Sequence, residues 1–193
     1  MRRTIYLARH GETSWNLAGR WQGWSDVPLN ATGESQALVL GERLKSRGIA
    51  RIVASSLSRA RQTAEIVARV LSIAPVALDP DLRERGFGLF EGLTREECAS
   101  RHPDHWKSYT DAATLPPGAE PFDRVTERMC SAVRRAVDAG EGSLLVVTHG
   151  SALRAFVRAV TGSMPAPVPN GALFRATSLA GAFVDAEPVD GWP

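Results

Sequence analysis

The sequence predicts an α/β sandwich with a mostly parallel sheet, and three observations carry that reading. Short apolar, β-branched runs alternate with segments whose apolar residues recur at helical spacing. One late run, "SLLVVT" (Ser143 to Thr148), is apolar without alternation, as in a parallel strand covered on both faces. Two strand-like runs end in the same dipeptide, His10-Gly11 and His149-Gly150, and in such folds function collects at the carboxyl ends of the strands.

The elements follow in order. "TIYLA" (Thr4 to Ala8) reads as the first strand. "Leu29-Asn30-Ala31-Thr32-Gly33" supplies a turn with Thr32 as helix cap, and Ala37, Leu40, Gly41 and Leu44 then share one helical face. "RIVAS" (Arg51 to Ser55) is the next strand, followed by a helix with Ala60, Ala64, Val67, Ala68 and Leu71 as its stripe. "PVALD" (Pro75 to Asp79) reads as a third strand, residues 80–92 as a charged loop with three glycines, and a short helix begins near Thr94. From His102 to Pro121 the pattern dissolves, which predicts an irregular surface excursion. Helical period returns with Phe122, Val125, Met129, Ala132, Val133 and Ala136; after the buried strand a helix starts at Ser151, and "ALFRAT" with "AFVDAE" form a terminal hairpin.

At 193 residues, with 44% apolar and 23% charged residues, the chain is expected to form a single domain over 1–193. No run reaches transmembrane length, and "MRRTIYLARHG" reads as a strand rather than a secretory signal. Cys98 and Cys130 fall in helical segments and suggest no disulfide framework, so free thiols in a reducing cytoplasm are expected. A net charge of +2, pI near 8.8 and arginines spread without a basic run argue against a nucleic-acid partner, and nothing argues for a membrane. The sequence sets no oligomeric state.

The chemistry collects where the fold class requires it. His10 and His149 lie 139 positions apart in sequence yet project from the same edge of the sheet. Glycine after each lets a small oxyanion approach the backbone. "SSLSRARQTA" carries Arg59 to the start of its helix at that edge, and Arg9 precedes His10. Guanidinium groups and free helix N–H groups favour a dianion such as phosphate. With that charge neutralised, one neutral imidazole can attack phosphorus while the other, protonated, steadies the transferring oxygens. The leaving alkoxide needs an acid, and "LRERGFGLFEG" supplies Glu84 and Glu91; a transferring phosphate nearby disfavours ionisation of such a carboxyl. An isolated strand-end histidine or helix-start arginine is usually a satisfied polar residue, and His102, His105 and Arg61 are read that way, as solvated side chains. Trp15, Trp21, Trp24, Phe87, Trp106 and Phe122 are candidate walls for a substrate pocket. No acidic ligand cluster is evident, so no metal and no cofactor is expected.

"LARHGETSWN", "SSLSRARQTA", "LRERGFGLFEG" and "VVTHGSALR" resemble, in order, the four signature segments of the histidine phosphatase superfamily, the phosphoglycerate mutase-like proteins. The resemblance spans residues 7 to about 154. It implies a three-layer αβα sandwich in which His10 is transiently phosphorylated, Arg9, Arg59 and His149 complete the phosphate pocket, Asn16 lies near it, and Glu84 takes the position of the acid. Glu12 and Thr13 match the motif as well, either as catalytic groups or as supports of the loop. The family's mutases carry a long basic insertion after the acid loop and a closing C-terminal tail. Here the segment from His102 to Pro121 has Lys107 as its one Lys or Arg, and the chain ends soon after the hairpin. An open site favours hydrolysis of a small phosphorylated metabolite over mutase-type transfer. A non-enzymatic alternative is a phospho-ligand binding or regulatory module, against which the intact His10, His149 and Glu84 speak.

Overall fold

The computed structural model describes residues 2–112 and 114–189. Its strands are β1 (Arg2–Arg9), β2 (Ile49–Ala54), β3 (Ala77–Leu78), β4 (Ser143–Thr148), β5 (Leu173–Leu179) and β6 (Ala182–Pro188). Its helices are α1 (Ser14–Leu17), α2 (Ala31–Leu44), α3 (Ser58–Leu71), α4 (Arg95–Arg101), α5 (Pro103–Ala112), α6 (Phe122–Asp138) and α7 (Gly150–Thr161). Among the described residues the strands form one sheet in the order β3-β2-β4-β1-β5-β6, parallel from β3 to β1 and antiparallel through the β5–β6 hairpin.

Two-residue periodicity builds the layers. On β1, Ile5 and Leu7 join Leu144 and Val146 of β4 in a core closed by Val125, Met129 and Val133 of α6 and Leu153 and Phe156 of α7. Tyr6 and Ala8 point the other way, with Leu145 and Val147, into a core closed by Leu40 and Leu44 of α2 and Ala60, Ala64 and Val67 of α3. Each fully buried aliphatic or aromatic side chain contributes about 1.5–3 kcal/mol. Both faces of β4 are covered, which is why its sequence shows no alternation. The architecture is the expected three-layer αβα sandwich.

Four details differ from the sequence reading. The cap of α2 is Asn30, whose Oδ1 accepts the Gly33 N–H at 2.8 Å; Thr32 lies exposed in the first helical turn. The third strand shrinks to Ala77–Leu78, because only these two residues pair with β2 at the open sheet edge. The excursion after His102 contains α5, which opens on Pro103, where the absent N–H has no helical partner to lose. Its Trp106 and Tyr109 cover a satellite cluster of Phe87, Phe90 and Cys98 instead of the main core, so they break the expected pattern. Finally, the 80–92 loop contains two short 3-10 turns, Pro80–Leu82 and Gly88–Phe90. Residues 190–193 of the short tail lie outside the described residues.

Register decides where the chemistry meets. Arg9 pairs with Thr148, so His10 and His149 are the next residues off two adjacent central strands. Ala54 pairs with Val147 on one side and Leu78 on the other, which brings the start of α3 and the 79–92 loop to the same edge.

Candidate active site

At that edge lies a polar pocket of about 220 Å³ whose lining includes Arg9, His10, Asn16, Arg59 and Glu84. His149 sits behind it, fully buried, with its ring centroid 5.1 Å from that of His10. The structure therefore brings all six predicted residues together.

His10 is buried, and its Nδ1 lies 2.6 Å from the carbonyl oxygen of Gly11. A carbonyl only accepts, so Nδ1 carries the hydrogen and Nε2 keeps its lone pair. Burial, then the charges of Arg9 and Arg59, hold the imidazole well below the usual histidine range, against a smaller opposing effect of the Gly11 hydrogen bond. The ring is neutral at pH 7. Its loop is tied to α3 by Thr63, whose Oγ1 accepts the Gly11 N–H at 3.1 Å and donates to the Arg59 carbonyl at 2.7 Å.

Arg59 is fully buried. Its Nη1 donates to Ser25 O and its Nη2 to Gly23 O, both at 2.9 Å, while Nε donates to Nδ1 of His149 at 3.2 Å. Three of a guanidinium's five N–H groups are thus committed to the protein, and one on each terminal nitrogen is left. Burial lowers its pKa to about 10, which keeps it cationic at neutrality. Arg9 donates from Nη1 to Val168 O at 2.6 Å, and its buried Nε has no protein partner. That unspent donor lies beside Gly150.

His149 departs from the expectation of a protonated partner. Accepting from Arg59 requires an unprotonated Nδ1, and Nε2 then donates to Ser55 Oγ at 2.8 Å. Burial first, then Arg59, His10 and Arg9, push its pKa well below the ordinary value. Arg9 and Arg59 carry the positive charge beside the histidines, and both histidines are neutral.

The two carboxylate candidates separate cleanly. Glu84 lines the pocket and reaches the start of α7, where Oε1 accepts the N–H groups of Ser151 and Ala152, each at 3.1 Å. Glu91 instead accepts from Trp24 N, Ser25 N, Ser25 Oγ and Phe87 N, pinning the 24–25 turn to the acid loop. Sequence reasoning also expects free N–H groups at the helix starts. Carboxylates fill these positions: Glu84 at α7, and Asp26 at α3, where it accepts Ser58 N at 2.7 Å.

Glycine after His10 has a different reason from the one expected. A Cβ on Gly11 would fall 2.3 Å from the carbonyl oxygen of Gly33, so the side chain is excluded by close packing of the loop on α2. Glu12 and Thr13 hold that loop. Asn30 donates to Glu12 Oε1 at 2.8 Å, and Thr13 caps α1 in a reciprocal pairing with Asn16. Asn16 Oδ1 accepts from Thr13 and from Asn170 Nδ2, leaving its NH₂ for the pocket.

Of the predicted aromatic walls, Trp21 and Phe87 line the pocket. Trp15 packs at Gly92, Trp24 lies against Gly86 and donates to Glu84 O, Trp106 belongs to the satellite cluster, and Phe122 packs on the main core. Sequence reasoning missed four contributors. Gln22 lines the pocket and Asn170 bridges the carbonyls of His10 and Gly11. Arg20 and Arg95 stand at the rim, Arg20 paired with Glu97 and Arg95 exposed, 5.8 Å over the Trp21 ring. Gln22 follows directly on Trp21, and Arg95 follows the Thr94 helix start; those adjacencies were the available signals. His102 and His105 stay outside the site, and no group of three or more metal-ligating side chains occurs among the described residues.

Paired histidines beside a buried Arg59 and a half-buried Arg9 at the carboxyl edge of such a sheet define an enzyme of the histidine phosphatase type. Residues 5–181 match the model of the histidine phosphatase superfamily (branch 1), and the chain belongs to that superfamily. It is 38% identical over 162 residues to an uncharacterized phosphatase, PhoE, of Bacillus subtilis, covering 83% of this chain and 79% of that one. A probable phosphoglycerate mutase, GpmB, of Escherichia fergusonii is 40% identical over 82% of this chain and 74% of its own. A metal-independent phosphoserine phosphatase of Arabidopsis thaliana is 37% identical over 81% and 68% respectively. Among solved structures, YhfR of Bacillus stearothermophilus superposes with a TM-score of 0.86 at 34% identity, over 96% of each chain. The chain is a phosphomonoesterase of this type.

Proposed function

We propose that the protein hydrolyses a small phosphomonoester without a metal, through a phosphohistidine on His10. The observation that carries this reading is the His10 imidazole, its Nδ1 spent on Gly11 and its Nε2 lone pair free, set in a pocket lined by Arg9 and Arg59. The phosphoryl oxygens take the unspent donors of Arg59, the Nε of Arg9 and the NH₂ of Asn16. These groups neutralise the dianion and stabilise the charge that develops as Nε2 attacks phosphorus and the ester oxygen leaves. Glu84 donates a proton to that oxygen, then, as carboxylate, takes one from the water that attacks phospho-His10 and releases inorganic phosphate. His149 aligns Arg59 through the Nε–Nδ1 bond and flanks the nucleophile.

Rim charge favours a substrate with a second acidic group. Arg9 and Arg59 match the phosphate and Arg20 is neutralised by Glu97, whereas Arg95 makes no ion pair among the described residues and feels only the exposed carboxylate of Glu96 at longer range. A phosphorylated carboxylic acid of phosphoserine or phosphoglycerate size suits a pocket of about 220 Å³. Two relatives bear names of such chemistry, a phosphoserine phosphatase and a phosphoglycerate mutase. Free thiols at Cys98 and Cys130 support a cytoplasmic setting.

The test is chemical trapping. Rapid quenching with labelled substrate should place acid-labile, base-stable label on His10, and His10→Ala should lower turnover by about 10³-fold or more. Label on a serine, or full activity in the variant, overturns the assignment. With 3-phosphoglycerate, release of inorganic phosphate marks a phosphatase and formation of 2-phosphoglycerate a mutase. Capture of phosphate esters without any turnover would mark a binding module.

A further inference from the structure

On the far side of Glu84 from the pocket, Arg128 of α6 spends all five of its N–H groups. Nη1 donates to the carbonyls of Asp81 (2.7 Å) and Arg83 (2.6 Å), and Nη2 donates to the carbonyl of Glu84 at 2.9 Å. The remaining two go to the carboxylate of Glu120, from Nε at 2.7 Å and from Nη2 at 2.8 Å. Both side chains are only 13% exposed. Glu120 extends the grip: its carbonyl accepts from Arg85 Nε, its carboxylate from Gly86 N, and its own N–H donates to Gly86 O.

Residues 81–84 pair with no strand of the sheet; Thr148 of β4 holds the Leu82 carbonyl through its Oγ1 at 2.8 Å. Without Arg128 the carbonyls of residues 81 and 83 would turn to water, that of Glu84 would keep only Trp24 Nε1, and the backbone would sample more conformations. A planar fork holding three carbonyls, itself held by a buried carboxylate, selects one. The acid loop is thereby fixed from α6, while the Glu84 side chain crosses to the α7 amides. Neither Arg128 nor Glu120 lines the phosphate pocket, so neither touches substrate.

We propose that Arg128 and Glu120 are positioning residues for the acid: they set where the Glu84 carboxyl stands, and so govern the step in which the leaving oxygen is protonated. This rests on Glu84 being the acid. Proton delivery is steeply sensitive to placement, and a shift of about 1 Å costs on the order of 10²-fold.

The test compares phosphorylation of His10 by O-phospho-L-serine, whose alkoxide needs a proton, and by p-nitrophenyl phosphate, whose phenolate leaves largely unaided. Burst kinetics are followed in Arg128→Met, Arg128→Lys, Glu120→Gln, Glu84→Gln and, as control, Arg135→Ala. Arg135 is an exposed residue that reaches Asp79 and Asp81 but not residues 83–84. In Arg128→Met and Arg128→Lys the phosphoserine step should slow about 10–10²-fold while the nitrophenyl step stays within about threefold. Lysine keeps the charge but not the fork, so its failure to rescue is part of the expectation. Glu120→Gln should show a smaller loss of the same selectivity, and Arg135→Ala none. Equal slowing of both substrates, rescue by lysine, or no slowing at all overturns the proposal. If Arg128→Met does not fold, Arg128→Lys and Glu120→Gln decide it. Selective loss in Glu84→Gln without loss in the Arg128 variants sinks this inference alone; absence of selectivity in Glu84→Gln removes the acid assignment itself.

Discussion

The Nδ1–H of His10 and the carbonyl of Gly11 meet at 2.6 Å, and that one bond sets both the tilt of the ring and which nitrogen is free. Which nitrogen keeps its lone pair is chosen by the backbone of the adjacent residue. Burial and the two arginines then keep the ring unprotonated.

A stability prediction follows from the two neutral imidazoles. His10 and His149 have folded pKa values well below 6.5, and in the unfolded chain both return to about 6.5. Below that pH the unfolded state binds protons that the folded state refuses. Stability is therefore fully present above about pH 6.5 and falls as pH drops, by about 1.4 kcal/mol per pH unit for each group until its folded pKa is reached. Urea unfolding at pH 8, 7, 6 and 5 measures the slope, and NMR should show neither imidazole titrating between pH 8 and 6. Titration of either near 6.5 in the folded protein contradicts the electrostatics described above.

Replacing Glu84 by Gln should depend on the leaving group. General acid catalysis is worth about 10²–10⁴-fold, so phosphorylation by an alkyl phosphate should fall by that factor while phosphorylation by nitrophenyl phosphate stays fast. Dephosphorylation slows for both. Equal slowing of the first step points to positioning alone. The same loss in a Glu91→Gln variant would be unexpected, since Glu91 is consumed by four hydrogen bonds away from the pocket.

How much of this was legible in the sequence depended on the range of the signal. Apolar runs such as "SLLVVT" identified their own strands, and the two His-Gly pairs marked the sheet edge, because strand and turn chemistry are local. Helix α5 was hidden because Trp106 and Tyr109 serve a satellite cluster, so their spacing met no larger stripe. Glu84 and Glu91 share one loop, and only the tertiary partners of each tell them apart. Asn170 sits in a proline-rich stretch 160 residues from His10, where no periodicity points back to the site. The occupied helix starts were equally invisible, since Asp26 and Glu84 come from other segments.

Arg95→Ala should separate carboxylated from plain substrates. Loss of one charge-assisted contact at an exposed rim should raise KM for phosphoserine or 3-phosphoglycerate about 5–10-fold and leave KM for p-nitrophenyl phosphate unchanged. Equal KM changes for both classes would assign Arg95 to phosphate or to structure.

Chelation should leave turnover intact. In the proposed mechanism Arg9 and Arg59, which line the pocket, supply the positive charge at the transferring group, and no metal-ligating cluster occurs among the described residues. Exhaustive EDTA treatment followed by assay with and without added magnesium checks this. Loss of activity that magnesium restores would reject the mechanism.

The adjacency of β1 and β4 gives the ribosome a say in when this enzyme begins to work. The strand carrying His10 is made well before its partners in the sheet, β4, ending at Thr148, and β5, ending at Leu179. Closing so long a loop is what brings the two histidines side by side. His10 therefore leaves the exit tunnel without its sheet neighbours, and its pocket assembles only after β4 and β5 have followed. Nascent fragments lacking β4 can contain RHG and RAxQTA together and still have no place to bind a phosphate.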